Sequence, residues 1–327
     1  MADQKINVLV MAVGAPLGQS ITKALYMSRL PAAVHVADIS DRAAGFYITS
    51  AKAIVLPMVK HPDYLESLTR YIRENAINVV FPVISPEHEF FSAHKQHFSD
   101  LGVNVISCDP EVYRLCNDKY LSMQFLREKG INAPDTTLCR TDGEVETFLQ
   151  RNVFPVFLKP RFGASSADTF KIKNKEQLFG ILNAFNREHF VAQCYLADQR
   201  DFTVGTYISR DRNFQETLII ERELKFGLSY RGEVIENNKI SKHCLAIAAA
   251  TGAKYSINVQ LKLVDGVPFT YEINPRLSST TCVRAHFGFN EPDMILSDLF
   301  GDMASYRLTR KKGVFTRYWQ EHYLEVA

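Results

Sequence analysis

The chain has 327 residues, 46% hydrophobic and 23% charged, enough for roughly two or three packed units of ordinary globular composition. Its 38 basic and 36 acidic residues leave a formal charge of +2, which argues against a general nucleic-acid binder with its basic excess. The six cysteines show no CxxC and no zinc-finger spacing, and the chain has no secretory signal and no run of about 18 apolar residues, so a cytoplasmic protein without a membrane partner is expected.

Residues 1 to about 110 alternate strand and helix signals. Ile6–Val13 is a nearly continuous apolar run, the mark of a buried parallel strand. Gly14 and Gly18 follow, then a helix through about Leu30 whose Leu17, Ile21 and Leu25 recur every four residues. Val34–Ala37 ends at Asp38, and Asn78–Val83 and Val103–Ile106 read as later strands. This predicts a small doubly wound α/β unit. The loop GAPLGQS invites a dinucleotide-binding reading with Asp38 on the ribose. Its spacing is G-x-x-x-G, however, and Pro16 lacks the N–H that a pyrophosphate would use, which argues against NAD(P).

A boundary falls near Asp109–Pro110, and a helix or broken pair runs to a stop at Gly130. Lys119 lies there and, taken alone, reads as an exposed helix lysine. Between Asp135 and Gln193 short strands and two helices return. Lys159 closes the apolar strand VFPVFLKP before RFGASSAD, so a lysine stands beside a small-residue loop carrying Gly163, Ser165 and Ser166. A point charge beside backbone N–H groups suits phosphoryl oxygens, although the loop is no Walker A sequence. FVAQCYLADQRDFTVGTY then offers a polar Gln193, a short linker and Asp201, a combination suited to a hinge whose backbone reads an adenine edge.

From Tyr195 onward longer strands are expected over Phe202–Ser209 and Phe214–Glu223, with a helix near Ser241–Thr251. Ile257–Val264, Asp265–Gly266 and Val267–Asn274 read as a hairpin around an Asp-Gly turn. Alternation sets Glu272 and Asn274 on one face, with Gln260 on the partner strand and Arg276 behind. Oxygen ligands without His or Cys suit Mg²⁺. One more helix and a strand-like tail complete the chain.

In this order the pieces resemble the ATP-grasp superfamily, and most closely one synthetase unit of the carbamoyl-phosphate synthase large subunit. NVQLKLVDGVPFTYEINPRLSSTT carries the most specific part of that resemblance. It implies a doubly wound pre-ATP-grasp domain over 1–110 and a two-lobed ATP-grasp domain over 111–327. The latter would comprise a lid over about 135–193, a metal-binding part over about 194–305 and a tail over 306–327.

By motif, Lys119 and Lys159 would hold nucleotide phosphates, and Arg161–Ser166, with Gly163, Ser165 and Ser166, would close over the γ-phosphate. Gln193, Cys194 and Leu196 would meet the adenine and Asp201 the ribose. Gln193 replaces the family's usual Glu, and so does Asp201. Gln260, Glu272 and Asn274 would hold one or two Mg²⁺ (or Mn²⁺), and Arg276 would stabilise the transferred phosphoryl group.

The implied activity is an ATP-dependent ligase that joins a carboxylate to an amine or ammonia. The alternatives are a half-size carbamoyl-phosphate-synthase-like synthetase, a nucleotide-binding regulator without turnover, and an NAD(P)-dependent oxidoreductase. Partners would be small-molecule substrates, with a homodimer as the default assembly. Ser278, Ser279, Thr280 and Arg284 are candidate acceptor residues, while Arg222 and His243 are not placed.

Overall fold

Strand and helix periodicities resolve into three sheets among the residues that the computed structural model describes, 5–163, 168–198 and 200–323. The first contains β1 (Ile6–Val10), β2 (Ala32–Asp38), β3 (Lys52–Val55), β4 (Val79–Phe81) and β5 (Asn104–Val105). It is parallel in the order β3-β2-β1-β4-β5. Its helices are α1 (Pro16–Leu25), α2 (Tyr64–Glu74), α3 (Ser85–Ala93) and α4 (Lys95–Asp100). Both β1 and α1 are shorter than expected. Ala12 turns the chain with φ of 43°, and α1 stops where Tyr26 caps it. The short β3 escaped sequence reading because three of its four residues are exposed, so it has no core-facing period.

The expected broken pair is α5 (Pro110–Asn117) and α6 (Lys119–Glu128), and Gly130 adopts the left-handed φ of 70° beyond it. Asp118 makes the break, its carboxylate accepting from the amides of Tyr120 and Leu121 at 2.9 and 3.2 Å.

The second sheet is antiparallel, β6 (Thr136–Leu138), β7 (Val156–Pro160), β8 (Phe170–Ile172) and β9 (Phe190–Cys194), in the order β6-β9-β7-β8. It is backed by α7 (Asp142–Leu149) and α8 (Lys175–Ala184), whose Val145, Phe148, Leu178 and Leu182 form its core with Val156 and Leu158.

The third sheet follows the order β14-β13-β10-β11-β12-β15. Its strands are β10 (Asp201–Ile208), β11 (Gln215–Lys225), β12 (Leu228–Ile235), β13 (Tyr255–Val264), β14 (Val267–Asn274) and β15 (Gly313–Thr316). The helix α9 (Asn238–Thr251) begins three residues before its expected start, where Asn237 caps it. Where one final helix was expected there are two, α10 (Thr281–His286) and α11 (Glu291–Phe300). Among the described residues no helix is long and apolar enough to cross a membrane.

The apolar stripe of α1 positions the first sheet. Leu17, Ile21 and Leu25 share one core with Leu277, Phe289 and Met294 from beyond the third sheet. Polar contacts reinforce the join. Asp293 accepts from Ser28 Oγ at 2.7 Å and Arg29 Nε at 3.1 Å, and the Cys282 amide donates to Ser20 Oγ at 2.8 Å. Ile21→Ala, at a fully buried position, is expected to cost about 2–5 kcal/mol in urea unfolding. A loss below about 1 kcal/mol would show that this seam collapses around the gap.

Candidate active site

The β13–β14 hairpin is built as its sequence suggests. Asp265 and Gly266 both take positive φ, 51° and 76°, as a two-residue turn of this type needs. Gln260 pairs with Glu272 and Asn258 with Asn274. The register shifts between Gln260 and Leu261, which pair with Glu272 and Thr270, leaving Tyr271 unpaired as a bulge. Tyr271 and Glu272 can therefore line the same cavity, which strict alternation forbids.

That cavity, of about 830 Å³, lies where all three sheets meet. From the first come the entries to α1 (Ala15–Leu17) and α3 (Val83–Pro86), on either side of the point where strand order reverses. Ligands of doubly wound sheets bind at such points. The Asp38 carboxylate is engaged with the Gly14 amide at 2.7 Å, so it closes this loop and is not held out for a ribose.

Lys119, expected to be exposed on sequence alone, is 6% exposed, and its Nζ donates to the Gly163 carbonyl at 2.6 Å. Lys159 is 7% exposed and donates to Gln193 Oε1 at 2.8 Å and to the Tyr271 carbonyl at 3.0 Å. Burial pulls its pKa down to about 7, against the opposing pull of Glu272. Glu272 moves below the ordinary carboxylate value. Burial pushes it up, but Lys119, Lys159, the Asn274 amide at 2.9 Å and Arg222 outweigh that. Arg276 donates to Asn274 Oδ1 at 3.2 Å, and burial lowers its pKa. Lys119, Lys159, Glu272, Asn274 and Arg276 thus line one cavity.

Gln193, Cys194 and Leu196 line it too, but the Gln193 side chain is internal. Its Nε2 donates to Thr136 Oγ1 at 3.0 Å while its oxygen orients Lys159. The Cys194 amide is taken by the Asp135 carbonyl at 2.9 Å, whereas the Leu196 amide has no protein acceptor among the described residues. Gly163 lines the cavity with φ of 86°, and Ser165 and Ser166 lie outside the described residues.

Three expected ligands are held by protein partners, although Asp201 and Gln260 line the cavity. Arg161 does not line the cavity. Its guanidinium grips Asp118 at 2.7 and 2.9 Å, tying the loop base to α6. Asp201 gives one oxygen to Arg222 Nε at 2.7 Å and the other to the Tyr271 hydroxyl at 2.8 Å. Gln260 Oε1 accepts from Arg222 at 2.7 Å. Arg222 and Tyr271 were the residues that sequence reasoning left unplaced or missed. Their partners lie on other strands, so no local spacing announces them.

Ser278, Ser279 and Thr280 line the cavity, but Arg284 is no acceptor residue. It is fully buried against Glu291 at 2.9 Å and also donates to Asn258 and Thr280, both at 3.0 Å. A Cβ on Gly205 would stand 2.5 Å from Arg284 Nε, so Gly205→Ala must displace this ion pair. A loss of about 3 kcal/mol or more in denaturant unfolding is expected, and a neutral result would contradict the packing. His243 lies outside the cavity, bonded to Thr270 Oγ1 at 2.8 Å, and burial holds its pKa at about 4.

Among the described residues no three His, Cys, Asp or Glu side chains gather as a metal-binding group. Glu272 with Asn274 is the fitting place for a hard cation: one carboxylate and one amide oxygen on the cavity wall, with room for phosphate and water oxygens to complete the shell.

Comparison with known proteins agrees with this architecture. Residues 8–106 match a family described as PylC-like, N-terminal domain, and residues 195–322 match one described as ATP-grasp in the biosynthetic pathway with Ter operon. The D-alanine–D-alanine ligase of Phocaeicola vulgatus is 26% identical over 144 residues, 42% of this chain and 44% of the relative. The chain spans about half the length of the curated relatives it matches. The ADP complex of N5-carboxyaminoimidazole synthetase from Staphylococcus aureus superimposes with a TM-score of 0.77 at 14% identity, covering 97% of this chain and 84% of that one. The biotin carboxylase domain of 2-oxoglutarate carboxylase from Hydrogenobacter thermophilus, with MgADP and bicarbonate, gives 0.71 at 13% identity, covering 95% and 73%. None of these three is the carbamoyl-phosphate synthase unit that the hairpin motif resembles. With a parallel sheet, a small antiparallel sheet and a hairpin bearing Glu272 and Asn274 around one cavity, the chain has the architecture of the ATP-grasp superfamily, and its residues 195–322 match an ATP-grasp family.

Proposed function

We propose that this protein is an ATP-dependent ligase that phosphorylates a carboxylate and joins the resulting acyl group to an amine or ammonia. The observation that carries the reading is the meeting of two buried lysines from different units, Lys119 and Lys159, with Glu272, Asn274 and Arg276 in one cavity. Phosphoryl transfer needs mainly positioning and cancellation of charge on oxygens, and this set supplies both.

A bound nucleotide would have its base held at Leu196, whose amide has no acceptor among the described residues, and its phosphates by Lys119 and Lys159. Glu272 and Asn274 hold Mg²⁺, for which Mn²⁺ can stand in, and the ion when bound draws charge from the phosphoryl oxygens. Arg276, fixed by Asn274, faces the oxygens of the transferred group. The carboxylate and its amine partner enter from the first sheet, past Ala15–Leu17, Val83–Pro86 and Ser278–Thr280. Thr136 and Gln193 keep Lys159 aimed at the phosphates. Asp201, already paired with Arg222, shapes the ribose end through that pair. The unbonded cysteines fit a reducing compartment, so we place the protein in the cytoplasm.

Hydroxylamine tests this reading, because it converts an acyl phosphate to a hydroxamate whatever the natural amine is. A panel of amino and keto acids with ATP, Mg²⁺ and hydroxylamine is expected to give hydroxamate and ADP in equal amounts with at least one acid. ADP release without hydroxamate across the panel would overturn carboxylate activation, and nucleotide binding with neither product would point to a regulator of the same fold.

A further inference from the structure

We propose that Gln260 is not a metal ligand in this chain, and that Arg222 takes the place of a second cation, so that the site accepts one divalent ion on Glu272 and Asn274. The inference rests on the ATP-dependent reading above. The hairpin motif resembles a family in which this glutamine joins the metal set. Here the Gln260 oxygen accepts from Arg222 at 2.7 Å, while the Tyr271 hydroxyl stands at 3.2 Å from it. That hydroxyl has one proton, and the shorter contact, 2.8 Å to Asp201 Oδ2, claims it. Arg222 is therefore the partner of the Gln260 oxygen.

Arg222 itself is held on several sides. Its side chain is 7% exposed, and it donates to Asp201 at 2.7 Å, to Gln260, to the Tyr271 hydroxyl at 3.2 Å and to Ser229 at 3.3 Å. The strands agree with the side chains. Asp201 pairs with Arg222 across β10 and β11, and Thr203 pairs with Gln260 across β10 and β13, so the network spans three adjacent strands. An ion on the Gln260 oxygen would sit beside the guanidinium held 2.7 Å from it, whereas Asn274 Oδ1 accepts only the longer 3.2 Å contact from Arg276. Asp201 is taken by Arg222 and the Tyr271 hydroxyl, so it is no free carboxylate for a second ion. The guanidinium provides fixed charge that needs no loading.

Mn²⁺ with a non-hydrolysable ATP analogue tests the inference by electron paramagnetic resonance. One Mn²⁺ per chain without Mn–Mn coupling is expected at saturation. Glu272→Gln should weaken Mn²⁺ in the ternary complex by about 10-fold or more, and Gln260→Ala should change it by less than about threefold. Gln260→Glu, which strengthens the pair with Arg222 and keeps the volume, should still bind one ion and guards against a folding defect in the alanine variant. Two coupled ions, the second lost in Gln260→Ala, would overturn this inference and leave the ligase reading standing. Failure to retain either Mn²⁺ or the analogue would overturn the ATP-dependent reading, and the inference with it.

Discussion

Glu272→Gln is expected to lower ATP turnover by about 10²–10³-fold or more, the cost of removing one preorganised electrostatic contact to the transferring group. The substitution keeps the shape and an oxygen for the Asn274 amide, now 2.9 Å away, so the hairpin register has no reason to slip. What disappears is the negative charge. Glu272 is the carboxylate at which Lys119, Lys159 and Arg222 converge, and those cations outweigh its burial and keep it ionised. Without it the cavity keeps its cations but loses the carboxylate proposed to anchor the metal. ADP release measured against temperature-matched wild type checks this, with circular dichroism confirming the fold. A loss below about threefold would place the metal elsewhere.

Lys159→Met is the second large effect, and it has a pH signature. The Nζ is held between Gln193 Oε1 and the Tyr271 carbonyl, 5.3 Å from the Tyr271 ring, with its pKa pulled down to about 7 by burial. Removing it should weaken nucleotide binding by about 10- to 100-fold, the worth of a charge-assisted contact of about 1.5–3 kcal/mol.

The sign of the linkage follows from the lowered value. Between about pH 7 and the ordinary lysine range near 10.5 the unfolded chain binds this proton and the empty folded site does not. Stability from this group therefore rises with pH across that window and is lowest below it. Phosphates reverse the balance by favouring the ammonium. Binding of Mg²⁺-ATP at pH 8 should take up roughly one proton, seen by calorimetry in buffers of different ionisation heat. Lys159→Met should abolish the uptake. Uptake of the same size in the variant would assign the proton to another group.

The parts of the fold written in local signals were legible. The Asp-Gly turn fixed the hairpin, and its period brought Glu272 and Asn274 to one face. Asp109, Pro110 and Gly130 bounded the broken helix pair, and the apolar four-residue stripe of α1 announced its buried face. What failed has physical causes. β12 alternates weakly around Gly232, so its strand period was lost. Gly288, with φ of 85° and a Cβ position 1.8 Å from the Thr309 carbonyl oxygen, divides the last helix in two, and Asn290 then caps α11.

The local motif placed Lys159, Glu272, Asn274 and Arg276 on the cavity wall, while side-chain pairings between distant elements were not legible. Lys119 looked exposed because its burial depends on Gly163 from another unit. Arg161, Asp201 and Gln260 looked available to ligands because Asp118, Arg222 and Tyr271, which hold them, lie on other elements. Alternation alone would have turned Tyr271 away from the cavity, and only the bulge in the paired strands turns it in.

The central claim is that Mg²⁺ and ATP bind together in the cavity through Glu272. The thermal midpoint with Mg²⁺-ATP, set against ATP alone, Mg²⁺ alone and NADH, measures it most directly in wild type and Glu272→Gln. At a hundred times its dissociation constant a ligand stabilises the native state by about 2.7 kcal/mol, a shift of a few degrees for a chain of this size. The account predicts a shift with Mg²⁺-ATP that shrinks without Mg²⁺ and in the variant. No shift with Mg²⁺-ATP, together with one from NADH, would contradict it and move the ligand to the loop at Gly14–Gly18.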